Sequence, residues 1–286
     1  MIKAELRRGD GLPSGRIWLR SVVKNMQSGL LDAGYALEAD GKFGRGTQHS
    51  VEAYQVMNGL AESGVVDRAT WTRLDPHVEM ALGKREQEVA AMLLAFRGDL
   101  DWVHEREGHV GKPYWPGGAS GVTLDPGVDL GHMPPDRVEA LFGEVLNRTQ
   151  MDILSRVFGI RGNDARTALN IVPGLREIRI TRTQAQAVMP YAARGYWDGI
   201  CRRFEPIQRQ DTPPSVQTVM LSLAYNRGVY NHHLEPLGAL LQGRQWSQFA
   251  NTVGAMQQNH KLQGIRIRRQ QEAAVIRAEL QFQETA

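Results

Sequence analysis

The sequence of 286 residues has little cysteine and no long apolar run, and both absences limit what the protein can be. A single cysteine, Cys201, excludes an intramolecular disulfide framework and a zinc site built from several cysteines. No segment approaches the about 18 consecutive apolar residues of a membrane-spanning helix. The N-terminus lacks the basic-then-apolar order of a secretory signal peptide. We therefore expect a protein made in the cytoplasm, without stable membrane insertion.

The composition is that of a globular protein, with 42% hydrophobic and 23% charged residues. Its 34 Lys and Arg residues outnumber 31 Asp and Glu residues, which gives a net charge of +3 and a pI near 9.1. A mild positive charge favours anionic polymers, such as nucleic acids or the bacterial cell wall, without choosing between them. No zinc-finger or RNA-binding signature accompanies the basic segment at residues 264–270, so we expect no nucleic-acid partner.

The spacing of apolar residues predicts a predominantly helical α+β protein with two domains. Residues 1–78 predict a small domain of three short helices, the third capped by Asp67. Residues 79–98 predict a linker helix. Residues 99–286 predict a larger domain with several helices and one short β-hairpin region.

A helix of two turns is predicted to end at Glu107, between the N-cap Asp99 and the C-terminal Gly108. Leu100, Val103 and Glu107 share one face, so this carboxylate lies on the apolar side of the helix. A carboxyl group in partly apolar surroundings stays protonated more readily, as a general acid requires. The spacing alone leaves two interpretations open: a catalytic acid and a salt-bridged surface glutamate.

The triplet Asp125-Pro126-Gly127 predicts a turn between two short strands. A hairpin closed by this turn pairs Thr123 with Asp129, with Cβ atoms about 5 Å apart. On one unbent strand the two residues would lie about 20 Å apart. A hydroxyl and a carboxylate side by side can direct a water molecule to an anomeric carbon. The other open interpretation is a hairpin in which both side chains only support the fold.

Many positions between residues 20 and 74 follow a recognisable order. They are Val23-Lys-Asn-Met-Gln27, Gly34-Tyr35, Asp40-Gly-Lys-Phe-Gly44, Thr47, Val51, Tyr54-Gln55, Gly59-Leu60, Gly64-Val-Val-Asp67 and Thr70-Trp71. This order resembles the three-helix peptidoglycan-binding domain of cell-wall hydrolases. The resemblance implies that peptidoglycan is the partner. It points to Asp40, to Lys42, Phe43 and Arg45 in one loop, and to an exposed ring at Tyr54 as binding residues. The competing interpretation is structural, because Asp40 and Phe43 would be needed for the turn and the core whether or not glycan is bound.

The segment from Glu107 to His132 carries a second resemblance. Glu107-Gly108, Tyr114 and Ser120-Gly-Val-Thr-Leu-Asp-Pro-Gly-Val-Asp-Leu-Gly-His132 resemble phage-type lysozymes, and especially pesticin-like muramidases. The resemblance implies that Glu107 is the catalytic acid and that Thr123 and Asp129 handle the water. Asp125 stands where this family usually has glycine, which makes Asp125 a rival second carboxylate. We favour Asp129, because it keeps the Asp-Leu-Gly context and the position opposite Thr123.

Two later segments extend this resemblance. Leu221-Ser-Leu-Ala-Tyr-Asn-Arg-Gly228 and Gly264-Ile-Arg-Ile-Arg-Arg-Gln-Gln-Glu272 resemble two helices of the lysozyme fold. By this match Tyr114, Asn226 and Arg269 are candidate substrate-binding residues. Helix capping and an internal ion pair are the competing roles of Asn226 and Arg269.

Together these features predict a monomeric endolysin, a lysozyme-type N-acetylmuramidase. It would cleave the β-1,4 bond between N-acetylmuramic acid and N-acetylglucosamine with inversion, without metal or other cofactor. Without a signal peptide, it would reach the cell wall through a separate exporter such as a holin.

Three alternatives compete with this prediction. A lytic transglycosylase needs the acid but no water-activating pair, and a non-catalytic wall-binding protein needs neither. A metal hydrolase is disfavoured, because the segment His104-Glu-Arg-Glu-Gly-His109 is not a His-Glu-x-x-His motif. Asp125, Asp129 and His132 would be the remaining metal ligands.

Overall fold

The computed structural model describes residues 1–284, and 61% of these residues are helical. The described residues contain twelve α-helices and one antiparallel pair of strands. The elements are α1 (Arg20–Asp32), α2 (Arg45–Met57), α3 (Arg68–Met92), α4 (Leu100–Glu107), β1 (Thr123–Leu124), β2 (Val128–Asp129), α5 (Pro135–Phe142), α6 (Arg148–Ser155), α7 (Gly162–Ile171), α8 (Arg182–Arg203), α9 (Pro214–Arg227), α10 (Glu235–Gln242), α11 (Trp246–Ala255) and α12 (Gln263–Glu284). This confirms the predicted fold class.

The contacts within the chain divide it into two compact units. The first unit consists of residues 1–103 and of the described part of residues 196–286, and the second consists of residues 104–195. The division falls within α4 and within α8. The domain boundaries expected at residues 78 and 98 stay predictions. Within residues 1–284, no helix combines the length and the apolar character that a membrane crossing requires.

The N-terminal part of the first unit is built from α1, α2 and α3. Asp67 caps α3, since its carboxylate accepts the backbone N–H of Thr70 at 2.8 Å. The expected third helix and the expected linker helix form one helix of 25 residues, which continues through Pro76. Leu74 and Val78 are both buried, so the inner face of α3 packs on either side of this proline. Tertiary packing therefore keeps the helix continuous where the local sequence favours a break.

Helix α9 is the most buried helix of the first unit. All ten of its residues from Ser215 to Ala224 are buried, so this stretch has no solvent-exposed face. A helix with this character lies in a core. Helix α12 packs against α9 and contributes a buried ion pair, which is described below.

The second unit contains the hairpin and helices α5, α6 and α7. Its apolar core joins the hairpin to these helices through Val122, Leu124, Val128, Leu130, Val138, Phe142, Leu154 and Val157. Successive strand residues point to opposite faces of a sheet. Leu124 and Val128 therefore point into the core, while Thr123 and Asp129 share the other face.

Candidate active site

Glu107 is the last residue of α4 and is half-buried. The helix begins after Asp99, whose carboxylate accepts a backbone N–H of the first turn at 2.8 Å. It ends before Gly108, whose φ of +77° is a conformation that glycine adopts without steric cost. Leu100 and Val103 of this helix are buried. The structure confirms the predicted helix and both of its end signals.

The hairpin has the predicted register. Thr123 pairs with Asp129, and Leu124 pairs with Val128. A third segment joins this pair, because Tyr114 and Thr123 exchange two backbone hydrogen bonds of 3.0 and 2.7 Å. Tyr114 thus lies beside Thr123 on the side away from Asp129. The sequence does not predict this contact, since a single bridging residue leaves no alternating pattern.

The carboxylate of Asp129 is held by the backbone of the hairpin. Its Oδ1 accepts the N–H groups of Gly121 at 2.9 Å and Gly131 at 2.8 Å. Its Oδ2 lies 3.0 Å from Nδ1 of His132, and the side chain is 25% exposed. Both oxygens of Asp129 therefore have partners in the hairpin, while the side chain stays partly accessible from solvent.

Two glycines make this arrangement possible. A Cβ atom on Gly121 would lie 2.6 Å from Oδ1 of Asp129 and 2.3 Å from the backbone nitrogen of Gly131. A Cβ atom on Gly131 would lie 2.6 Å from the carbonyl oxygen of Ile160. Only glycine lets the backbone approach this closely, so both N–H groups reach the carboxylate.

The other member of the strand pair, Thr123, is buried. Its hydroxyl donates a hydrogen bond of 3.3 Å to the carbonyl oxygen of Gly121. The same glycine donates its N–H to Asp129. One short backbone segment therefore orients both side chains of the pair.

Asp125 has different surroundings from Asp129. Its side chain is only 5% exposed, and its Oδ2 accepts the backbone N–H of Gly111 at 2.5 Å. Nδ1 of His109 lies 2.9 Å from the same oxygen. Asp125, the alternative second carboxylate, is therefore buried and hydrogen-bonded within the second unit.

The pKa of Tyr114 is raised above its ordinary value. Burial raises the pKa of Tyr114, and the negative charges of Asp125, Glu107 and Asp129 raise this pKa further. Interactions between charges fall off with distance and are screened by solvent. Glu107, at the end of α4, and Asp129, on β2, thus both lie in the electrostatic surroundings of one tyrosine.

Two predicted substrate-binding residues lie in the first unit, and one of them needs correction. Arg269 is fully buried, with its guanidinium 3.0 Å from the carboxylate of Glu272 and donating to Oδ1 of Asn226 at 3.3 Å. A side chain with no exposed surface does not contact a substrate, so the predicted binding role of Arg269 is wrong and the internal ion pair is its role. Asn226 is exposed.

The predicted wall-binding residues divide into an exposed set and a buried set. Asp40 accepts the backbone N–H of Lys42 at 2.8 Å, and its carboxylate lies 3.5 Å from the ammonium group of Lys42. Both residues line a groove of about 380 Å³ that Glu38 also borders. Lys42 and Arg45 are exposed. These positions are accessible to a polymer.

Tyr54 and Phe43 form the buried set and correct a prediction. Tyr54 is 2% exposed, and its ring packs edge-to-face on that of Tyr35, with ring centroids 5.7 Å apart. Phe43 is fully buried. The expected exposed ring at Tyr54 is therefore wrong, and Phe43 does not offer its ring to a glycan. Both rings belong to the apolar core of the small domain.

No three His, Cys, Asp or Glu side chains are grouped as around a metal ion in residues 1–284. The sequence left Asp125, Asp129 and His132 as possible metal ligands. Asp129 and His132 contact each other, whereas Asp125 contacts His109.

Two segments of the chain match known protein families. Residues 20–74 match the family described as a putative peptidoglycan binding domain. Residues 98–237 match the pesticin family, described as a bacterial toxin homologue of phage lysozyme. The two matches follow the order of cell-wall hydrolases that join a binding domain to a lytic domain. The chain has the organisation of a modular phage-type endolysin, with a lysozyme-like domain that makes it a peptidoglycan glycosidase.

Among solved structures, one match aligns with almost the whole chain. The crystal structure of a Burkholderia AP3 phage endolysin shares 17% identity over 98% of this chain and 99% of its own, with a TM-score of 0.21. The comparison with curated proteins gives no match.

Proposed function

We propose that this chain is an N-acetylmuramidase that hydrolyses the β-1,4 bond between N-acetylmuramic acid and N-acetylglucosamine with inversion. The observation that carries the proposal is the Thr123–Asp129 strand pair, with Asp129 held by two backbone N–H groups, in the same unit as the half-buried Glu107 at the end of α4. One acid and one water-directing carboxylate are the parts that inverting glycosidases use.

In this proposal, Glu107 protonates the oxygen of the leaving sugar. The residue is half-buried at the end of a helix whose preceding apolar face is buried. Partial burial keeps competing solvent away from a proton donor. Gly108 turns the chain away directly after it, so the carboxyl group stands at an end of the helix rather than on its side.

Asp129 would accept a proton from the attacking water. Two backbone N–H groups hold its Oδ1, so its Oδ2, whose partner is the exposed imidazole of His132, is the oxygen that would face the water. The hydroxyl of Thr123, opposite Asp129 on the neighbouring strand, would orient the same water. Asp129 is favoured over Asp125 because it lies opposite Thr123 and because its side chain is 25% exposed, against 5% for Asp125.

The groove at Asp40 and Lys42 would bind the cell wall. Its exposed cationic groups, Lys42 and nearby Arg45, suit the carboxylates of peptidoglycan. Tyr54 and Phe43 would support this loop from the core and would not contact sugar. Binding of the wall by this domain raises the local concentration of glycan bonds at the lytic domain.

Analysis of the products from purified peptidoglycan tests the proposal. Mass spectrometry of digests is expected to show reducing N-acetylmuramic acid ends for the wild type and no new ends for Glu107→Gln. Products with 1,6-anhydro ends would instead identify a lytic transglycosylase. Binding to the wall without any new ends would identify a non-catalytic binding protein.

A further inference from the structure

The carboxylate of Asp125 connects the segment that follows Glu107 to the hairpin that carries Thr123 and Asp129. The proposed reaction needs these two parts of the second unit at a fixed distance from each other. Asp125 lies in the turn of the hairpin, directly between β1 and β2. Its Oδ2 receives the N–H of Gly111, four residues after Glu107. The side chain is almost completely buried, so this contact is shielded from competition by water.

The segment that follows Glu107 has little stiffness of its own. Gly108 and Gly111 both have positive φ angles, +77° and +72°. Glycine has the largest backbone freedom of all residues, so a segment bounded by two such turns is fixed mainly by its external contacts. Val110 within it is 47% exposed and adds little packing.

The external contacts converge on Gly111. Its N–H is bound by Asp125, and its carbonyl oxygen accepts the N–H of Ile180 at 3.0 Å. Three residues further, Tyr114 joins the backbone of Thr123. Between the end of α4 and the sheet, the chain is thus held at Gly111 and at Tyr114. Asp125 provides the side-chain contact at Gly111.

His109 adds a charged contact to the same carboxylate. Its Nδ1 lies 2.9 Å from Oδ2 of Asp125 but is not aligned for a hydrogen bond. The contact is therefore close but not a directional hydrogen bond. The amide of Gly111 makes the directional bond.

We propose that Asp125 is a positioning residue, a clasp that sets the distance between Glu107 and the Thr123–Asp129 pair. The inference rests on the proposed function, because it assigns these groups to one reaction. A displacement of about 1 Å between reacting groups costs about 100-fold in rate. The loss of the clasp is therefore expected to lower kcat while leaving KM nearly unchanged.

Two substitutions of Asp125 in the full chain separate positioning from chemistry. Asp125→Asn keeps an oxygen that accepts the N–H of Gly111, whereas Asp125→Ala removes it. On soluble glycan strands we expect kcat within about threefold of wild type for Asp125→Asn and about 100-fold lower for Asp125→Ala, with KM within about threefold for both. Asp152→Ala, which removes an exposed carboxylate of the same unit, is the matched control and should change neither constant.

Other outcomes overturn the clasp. If both Asp125 variants lose as much activity as Glu107→Gln, Asp125 takes part in the chemistry. If Asp125→Ala keeps full kcat while Glu107→Gln is inactive, the clasp fails and the proposed function stands. If Glu107→Gln is itself active, the proposed function fails whatever Asp125 does.

Amide hydrogen exchange of the unmodified protein tests the clasp even if Asp125→Ala does not fold. The N–H of Gly111 should exchange as slowly as that of Thr123, which is paired within the sheet at 2.7 Å. Exchange of Gly111 as fast as that of an unprotected loop amide would contradict the proposal. In Asp125→Asn the protection of Gly111 should persist.

Discussion

The hairpin at residues 121–131 and the loop at residues 40–45 both carry family-like motifs, but the structure uses their residues differently. In the hairpin, Asp129 is held by backbone N–H groups and remains accessible. Near the loop, the aromatic rings of Phe43 and Tyr54 are buried. A family motif thus marks residues that the fold needs together with residues that the function needs. Burial and hydrogen bonding separate the two kinds.

The largest expected effect is on the proposed acid of the second unit. Glu107→Gln keeps the shape of the side chain but removes the proton that the leaving oxygen receives, so kcat should fall about 10⁴-fold. Release of reducing sugar from purified sacculi measures this loss. The melting temperature should stay close to that of the wild type, since Glu107 is half-buried at a helix end. Retained lysis by Glu107→Gln would contradict a catalytic role of this residue.

The next effect concerns the carboxylate on β2. Asp129→Asn retains an oxygen for the N–H groups of Gly121 and Gly131 but no longer accepts a proton from water, so kcat should fall about 10³-fold. Steady-state kinetics on soluble glycan strands measure the loss. Asp125→Asn, in the same hairpin, is the matched comparison. A larger loss for Asp125→Asn than for Asp129→Asn would reverse the assignment of the second carboxylate.

A stability effect is expected for the buried rings of the small domain. Phe43→Ala removes a fully buried ring and should lower the free energy of unfolding by about 3 kcal/mol, as measured by urea denaturation. Tyr54→Phe is the informative control, since the hydroxyl of Tyr54 is buried without a hydrogen-bond partner. This change should leave stability equal or higher and wall binding unchanged. Weakened wall binding by a fully folded Tyr54→Phe would restore a ligand role.

The smallest effect is expected at the exposed groups of the loop. Combining Lys42→Ala and Arg45→Ala should weaken binding to sacculi about fivefold without changing stability, because exposed charge contacts contribute little each. Sedimentation with sacculi in a Glu107→Gln background keeps the wall intact during the measurement. Lys84→Ala, an exposed lysine on α3, is the control. Equal binding by all variants would remove the loop from the binding surface.

Short-range sequence features predicted much of the candidate active site. Asp99 and Gly108 bound α4 because capping and positive φ depend on a few neighbouring residues. The register of the hairpin followed from the turn triplet, because the number of turn residues fixes which residues face each other. Both features are decided within less than ten residues of sequence.

Features that depend on distant contacts were not predicted. The partner of Asp125 is the amide of Gly111, and no local pattern joins the two positions. The burial of Tyr54 depends on Tyr35 and on α3, which lie outside its own helix. The complete burial of Arg269 depends on the packing of α12 against α9. Each case is decided by packing between elements.

The most direct test of the central claim is the anomeric form of the first product. Proton nuclear magnetic resonance during cleavage of soluble glycan strands follows the new reducing end before mutarotation. Attack by a water molecule directed by Asp129, from the face opposite Glu107, predicts that the α-anomer forms first. Initial formation of the β-anomer, or of a 1,6-anhydro end, would contradict the proposed mechanism.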